Sequence, residues 1–482
     1  MNFNEVKNVG TFFSDYLTYE GHNLWELNEA GLYNSFFINP SRKNAIHDGR
    51  DFLIHHIINL KRNCRSKRKF VKKSSKEEIL IVPYDMSHAN TFLRLLRDLK
   101  NVRIIRNDSP NSSITKDILD SNKLPFVNLD NFITIKTKRA VGAANKWLSK
   151  QFNLIKNDNG LKVKLGENYD QVIEVLKYCC KTRKLFLETI LNIELFKEIY
   201  CKEKYKLVLV ADDVNSVGRI AVRIANQYDV SSLTIQHGQL QGNPVGDISS
   251  DFMAVNGERD KEFLIKKGAP LSKIVVTGQP RFDSIFKNKY SHKKSCKELG
   301  LDYNKKIVMF TVQKPLAQGS VNLAALNCFF EAIRKIPDKE NYEFIITMRE
   351  DMSLKDLSSD YKSLGIKVMI GGDIHKILAC CDVFTTAFST VAIESALMGH
   401  PVITINLNNR NYINYTSEGV GYTVFKAKDF LPRLYEVLND LQFKKKFSRS
   451  RKQFVKNYNF SDDGMSTKRQ IKLIKDIIKK KI

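Results

Sequence analysis

The residues best equipped for chemistry in this chain lie where a short apolar run gives way to a helical pattern. In DVFTTAFSTVAIESALMGHPVI, Thr386, Ser389 and Thr390 place hydroxyls between the run DVF and the helix VAIESALM. The first amides of an α-helix have no intrahelical acceptor, so such a turn can bind a phosphate or diphosphate. Glu394 follows Ser389 by five residues and Thr390 by four. A carboxylate there cannot usefully meet phosphate, but it can accept both hydroxyls of a ribose. The competing reading is a serine N-cap followed by an exposed glutamate. Gly399 ends the helix and Pro401 opens the next run.

A second cluster is LTIQHGQ. His237 follows an apolar run, and an imidazole there can serve as general base or as phosphate donor. Gly238 frees the backbone after it, and Gln239 follows. The alternative is a loop histidine with one satisfied hydrogen bond. Asp212 and Asp213 end the run LVLVA and can deprotonate a hydroxyl, or one of them caps the following helix. Gln279 and Arg281 follow KIVVTG, Lys314 follows IVMFTVQ, and Arg349 and Glu350 follow FIITM. Gly371 and Gly372 precede a short helix that carries His375, and Gly319 sits in KPLAQGS. The two aspartates are adjacent rather than in a DxD metal pattern, and no phosphate loop of the NTPase type is present. No metal is therefore expected.

The elements that must position these groups alternate. ILIV, VRII, LVLVA, SSLTIQ, DFMAV and KIVV read as buried parallel strands, FITI (132–135) as a further strand, and SVGRIAVRIANQ and ERDKEFLIKK as helices between them. The logic repeats after the segment 287–306, taken as a linker: KKIVMFTV, YEFIITM, IKVMI, DVFTT and PVITI alternate with helical stretches. Strand–helix–strand repetition implies right-handed crossovers and parallel sheets, whose ligands bind beyond the carboxyl ends of the strands. The expected fold class is α/β. Residues 1–75 form a helical extension with a basic linker, 76–286 a first Rossmann-like domain, 287–430 a second, and 431–482 a helical tail. A helix is expected near Ile46–Leu60.

Lys and Arg number 78 against 52 acidic residues in a 482-residue chain, a formal charge of +26. That excess favours anionic partners, or reflects a Lys-, Asn- and Ile-rich composition alone. Aromatic residues are not interleaved with the basic runs, so a nucleic-acid-binding protein is only an alternative, and no nucleic acid is expected as a partner. The basic run 61–76 and the C-terminal KLIKDIIKKKI, with Leu473, Ile474, Ile477 and Ile478 on one face, could rest on an anionic membrane; packing of that helix on its own domain is the favoured reading. Eight cysteines without a CxxC, no signal peptide and no run of 18 apolar residues point to a cytoplasmic protein, with the inner membrane face as a peripheral seat.

From Tyr205 to Asp283, through LVLVADD, LTIQHGQ and VVTGQPRFD, the chain resembles the non-hydrolysing UDP-N-acetylglucosamine 2-epimerases and related glycosyltransferases of the GT-B fold. From Asp382 to Asn406 it is similar to the donor-binding end of that superfamily. The resemblance implies two Rossmann-like domains with a cleft, a nucleotide-sugar donor held by the second and an acceptor facing the first, no cofactor and no divalent metal. It places Ser389 and Thr390 on phosphate and Glu394 on ribose. Gln279, Arg281, Lys314, Arg349, Gly372, His375 and Thr386 fall on the donor side, Gly238 and Gln239 on the acceptor side. FSTVAIES has neither the paired glycines nor the paired glutamates of the epimerases, and His237 is followed by Gly-Gln rather than by an acid two residues on. These departures favour a transferase. The HG and ST elements are also similar to CDP-glycerol transferases and CMP-dependent sugar transferases, although MRED has no His-Pro. The expected function is a metal-independent glycosyltransferase acting on a glycan or lipid-linked acceptor in capsule or lipopolysaccharide assembly. The alternatives are a nucleotide-sugar epimerase and a transferase-like scaffold without activity.

Overall fold

The structure is a computed structural model. It describes residues 3–33, 78–83, 86–106, 119–182, 184–240, 248–287, 290–350, 352–357, 359–409 and 413–480, apart from 315, 317 and 318. The expected helix near Ile46–Leu60 and the basic run 61–76 lie outside the described residues.

Chain contacts divide the molecule into two units. The first comprises Met1–Val255, Asp260–Val276 and Thr467–Ile482, the second Asn256–Arg259 and Thr277–Ser466. The break at Val276 falls ten residues before the expected 286/287 boundary, and most of the helical tail belongs to the second unit.

The first unit is built on a seven-stranded parallel sheet. Its spatial order is Phe126–Asn128, Val102–Arg106, Ile79–Val82, Leu207–Val210, Ser231–Ile235, Phe252–Val255 and Ile274–Val276. Ile79–Val82 and Leu207–Val210 are buried at every position, as central strands covered on both faces must be. Successive side chains alternate between two cores. Leu80, Val82, Val208 and Val210 join the helices Ile135–Lys156, Lys184–Lys202 and Ser216–Gln227. Ile79, Ile81, Leu207 and Leu209 pack with Phe92, Leu95 and the C-terminal helix Ser466–Ile478. In that helix Leu473, Ile474 and Ile477 are buried against the sheet, so the apolar face weighed for a membrane is already covered by the chain's own core. The N-terminal helices Phe3–Phe12 and Leu24–Tyr33 belong to the same unit, where the fully buried Trp25 donates its indole N–H to Val6 O at 2.9 Å.

FITI is not a strand. Its start closes the 3-10 turn Leu129–Phe132, and the helix Ile135–Lys156 begins at Ile135. Thr134 and Thr137 form a reciprocal capping box there, a local hydrogen-bond pattern that outweighs the β-branched run. The third strand is instead Phe126–Asn128.

The second unit carries a six-stranded parallel sheet in the order Lys367–Ile370, Tyr342–Met348, Lys306–Thr311, Val383–Thr386, Val402–Ile405 and Gly421–Val424. The last of these was not anticipated. The supposed linker 287–306 is part of this unit: it includes the helix His292–Glu298, and Cys296 and Leu301 enter the core. The helices Phe430–Asn439 and Leu441–Asn459 cover the sheet through Phe430, Leu434, Phe443, Phe447 and Phe454. Among the described residues no helix is long and apolar enough to cross a membrane.

Both sheets therefore have strand order 3-2-1-4-5-6, with a seventh strand added in the first. In each, the connections leave to opposite sides between strands 1 and 4, which opens a crevice at their carboxyl ends where ligands of such folds bind.

Candidate functional site

In the second unit the crevice is bordered by Lys306–Thr311 and Val383–Thr386. The Thr386 hydroxyl donates to Thr311 O at 3.0 Å and accepts the Ser389 amide at 3.3 Å. Thr386 is fully buried, so its hydroxyl shapes the turn rather than presenting itself to a ligand, contrary to the donor-side expectation. Ser389 Oγ accepts the amide of Val391 at 3.2 Å. The amides of Ala392 and Ile393 reach the carbonyls of Ser389 and Thr390. The first turn of the helix Val391–Met398 is thus less open than a bare N-terminus. What it still offers is the Ser389 O–H and the amide and hydroxyl of the exposed Thr390, none of which donates to another described residue. Three donors on two adjacent residues suit a phosphate oxygen cluster.

One helical turn on, Glu394 is buried and both its oxygens are engaged. Oε1 lies 3.0 Å from Nη2 of Arg281, and Oε2 lies 2.7 Å from Nε2 of His375. His375 is presented by the short helix Ile374–Leu378, capped by Asp373, whose carboxylate accepts the amides of His375 and Lys376. Nδ1 of His375 lies 3.2 Å from the Ser284 hydroxyl, which lies 3.3 Å from Arg281 O. The positive φ of Gly371 (70°) and Gly372 (88°) turns the chain into this helix, and a Cβ on Gly371 would fall 2.6 Å from Cγ of Glu350. The structure thus gathers Arg281, His375, Glu394, Ser389 and Thr390 within one unit. Ser284 was missed, because the stretch that follows Arg281 reads in sequence as the approach to a linker rather than as the helix Asp283–Lys287.

Other expected donor residues are placed differently. Gln279 is buried, and its backbone N–H donates to Asn459 Oδ1 at 2.9 Å, which pins the chain at this point. Before it, Gly278 has φ 81°, and a Cβ would lie 2.4 Å from Ser466 Oγ. Lys314 is half exposed and 3.9 Å from Asp356. Arg349 is exposed beyond the end of Tyr342–Met348.

In the first unit, His237 follows the strand Ser231–Ile235, and its Nδ1 lies 2.8 Å from Ala211 O. A carbonyl can only accept, so the neutral ring carries its proton on Nδ1 and its lone pair on Nε2. Ala211 directly follows Leu207–Val210, which places the imidazole at the carboxyl edge of that sheet. Gly238 does not have a positive φ, and a Cβ there would meet nothing within 4 Å among the described residues. Its carbonyl accepts the Gln236 side chain, which also reaches Asp260. Gln239 is half-buried next to it.

The two aspartates are corrected. Asp212 Oδ1 accepts the amides of Val214 and Asn215 at 2.7 and 3.3 Å, and so turns the chain into the helix Ser216–Gln227. Asp213 is buried, and its Oδ2 accepts both the amide and the hydroxyl of Ser250. Burial pushes its carboxyl above the usual range, against the pull of the Ser250 hydrogen bonds. Its carboxylate secures the approach to the strand Phe252–Val255 and is not presented to a substrate. Of the three residues expected to act as base, His237 is the one carried into the proposal below.

Residues 248–476 match the model of the family described as CDP-glycerol:poly(glycerophosphate) glycerophosphotransferase. Over 160 residues the chain is 26% identical to a lipid-A-disaccharide synthase of Geobacter metallireducens, covering 32% of this chain and 39% of that protein. The chain thus spans about two fifths of the length of that curated relative. Among solved structures it is similar to the UDP-N-acetylglucosamine 2-epimerase of Neisseria meningitidis bound to UDP-GlcNAc, with TM-score 0.52 and 12% identity over 83% of this chain and 100% of that one. A second UDP-N-acetylglucosamine 2-epimerase structure gives TM-score 0.51 and 14% identity over 84% and 96%. At such identities the likeness establishes the fold: two Rossmann-like units of the GT-B type, as the sequence resemblance implied.

Proposed function

We propose that this GT-B chain is a transferase that moves an activated group from a nucleotide donor to a hydroxyl acceptor in the assembly of a bacterial cell-surface polymer. The observation that carries the reading is the second-unit crevice, where the donors of Ser389 and Thr390 lie one helical turn from the buried carboxylate of Glu394. Phosphate donors and a diol acceptor at this spacing suit a ribonucleotide. The match to a glycerophosphotransferase family spans the same residues, and the relative with 26% identity is a lipid-A-disaccharide synthase.

In the glycosyl-transfer form, Nε2 of His237 takes the proton of the acceptor hydroxyl. The acceptor oxygen bonds to the anomeric carbon, and the bond from that carbon to the donor diphosphate breaks. The nucleoside diphosphate leaves with its new charge stabilised by Ser389 and Thr390. No metal or cofactor is assigned a role, and the first unit is taken to receive the acceptor. Capsule or lipopolysaccharide assembly at the inner membrane face is the finer form of the proposal.

A second reading is favoured by the family match: the transferred group is glycerophosphate, the acceptor oxygen attacks the β-phosphorus, and CMP leaves. Thermal-shift titration with UDP-sugars, CMP-sugars and CDP-glycerol, followed by mass spectrometry of acceptor products, separates the two. Failure of every nucleotide to stabilise the protein would overturn both.

A further inference from the structure

Glu394 is 5% exposed, and its two oxygens are held by partners of different character. On Oε2 the partner is His375, itself 8% exposed, with its far nitrogen on Ser284. On Oε1 the partner is Arg281, whose side chain is 43% exposed and stacks its guanidinium 4.9 Å over the ring of Phe282. One partner is walled in. The other is a long arm reaching in from solvent, on the turn Pro280–Phe282 just before the helix Asp283–Lys287 that packs against Val391–Met398.

A carboxylate that accepts a vicinal diol needs a lone pair for each hydroxyl; the two lone pairs of Oε1 supply them while His375 holds Oε2, and Arg281 stands on Oε1. Buried charges are costly to leave unpaired, so the arm cannot leave before other donors arrive. A ribose diol supplies them. The guanidinium, still positive and now unpaired, then finds its best new partner in the phosphates of the same ligand, which it can meet with two parallel N–H groups.

We propose that Arg281 is an exchange residue of the nucleotide site: it holds the ribose-binding carboxylate of Glu394, yields Oε1 to the ribose diol, and transfers to the donor's phosphates. His375 keeps Oε2 throughout. This rests on the nucleotide-donor reading above and adds an order to it, in which ribose and phosphate recognition are coupled through one side chain. A nucleoside without phosphates must displace Arg281 with no compensation, so the site discriminates against it.

The test is ligand-observed NMR and calorimetric titration of the full chain with uridine, cytidine, UDP and CDP, for the parent and for Arg281→Gln and Arg281→Met. The exchange predicts effects of opposite sign. Both variants bind the better nucleoside several-fold more tightly than the parent, and the matching diphosphate at least tenfold more weakly. If both ligands weaken together, Arg281 merely supports Glu394 and the exchange is overturned, while the nucleotide reading stands. If only the diphosphate weakens, Arg281 binds phosphate without competing for Glu394, and the exchange is again overturned. If the parent binds none of the four, both readings fall. Two variants are used because Arg281→Met keeps the length of the stem over Phe282, should Arg281→Gln lose its fold.

Discussion

Nε2 of His375 lies 2.7 Å from Oε2 of Glu394, both residues are buried, and they come from two successive helices of the second unit. A hydrogen bond from a ring N–H to a buried carboxylate contributes roughly 1.5–3 kcal/mol, and its loss leaves each partner stranded. Urea unfolding of His375→Ala, Glu394→Ala and the double variant should therefore give a coupling energy of about 1–3 kcal/mol. Additive costs would show that the two side chains do not depend on one another.

Ser389 and Thr390 should separate cleanly. Ser389 Oγ caps the amide of Val391, so Ser389→Ala should lower stability by about 1 kcal/mol as well as weaken diphosphate binding. Thr390 is exposed and caps nothing with its side chain, so Thr390→Ala should leave the melting temperature unchanged and weaken UDP or CDP several-fold. Unchanged affinity in Thr390→Ala would remove the phosphate role from this turn.

His237→Asn keeps a donor to Ala211 O but has no basic nitrogen. If His237 takes the acceptor's proton, kcat should fall by about 10²–10⁴-fold while donor affinity, measured by titration, stays within a factor of two or three. A variant that turns over as fast as the parent would move the base elsewhere.

Both sheets were legible in the sequence because their strands are short, apolar and evenly interrupted by helices; LVLV and VFTT need little else to be recognised. Pattern failed where local hydrogen bonding decides. FITI looks extended, but Thr134 and Thr137 cap a helix across it. Gly421–Val424 has too few apolar residues to announce a strand. At the site, residue type showed which groups could act but not which were already occupied. Asp213 is chemically able, yet Ser250, 37 residues away along the chain, holds its carboxylate, and the Gln279 backbone is pinned by Asn459, 180 residues away. Long-range partners of that kind leave no trace in spacing.

Gly218 sets the geometry behind Asp212. A Cβ there would lie 1.8 Å from Asp212 O, a backbone atom that cannot swing aside. Gly218→Ala should force apart the Asp212 turn and the helix Ser216–Gln227, at a cost of about 1–3 kcal/mol or more, although alanine is the better helix former. Equal denaturant midpoints for parent and variant would show that the turn relaxes freely.

His400 gives the second unit a pH dependence. It lines a cavity of about 540 Å³ with His292, Asp382 and Arg451. Burial lowers its imidazole to about 4, opposed by Asp382 and assisted by His292 and Arg451. In the unfolded chain it titrates near 6.5. Above that pH it is neutral in both forms and costs nothing. As the pH falls from about 6.5 towards about 4, the unfolded chain takes up a proton that the folded chain refuses, so stability is lost across that window. Between pH 7.5 and 5.0 the parent should therefore lose on the order of 2 kcal/mol more than His400→Gln, read from urea midpoints and slopes. Equal losses would mean that the ring accepts its proton in the folded protein as readily as in water.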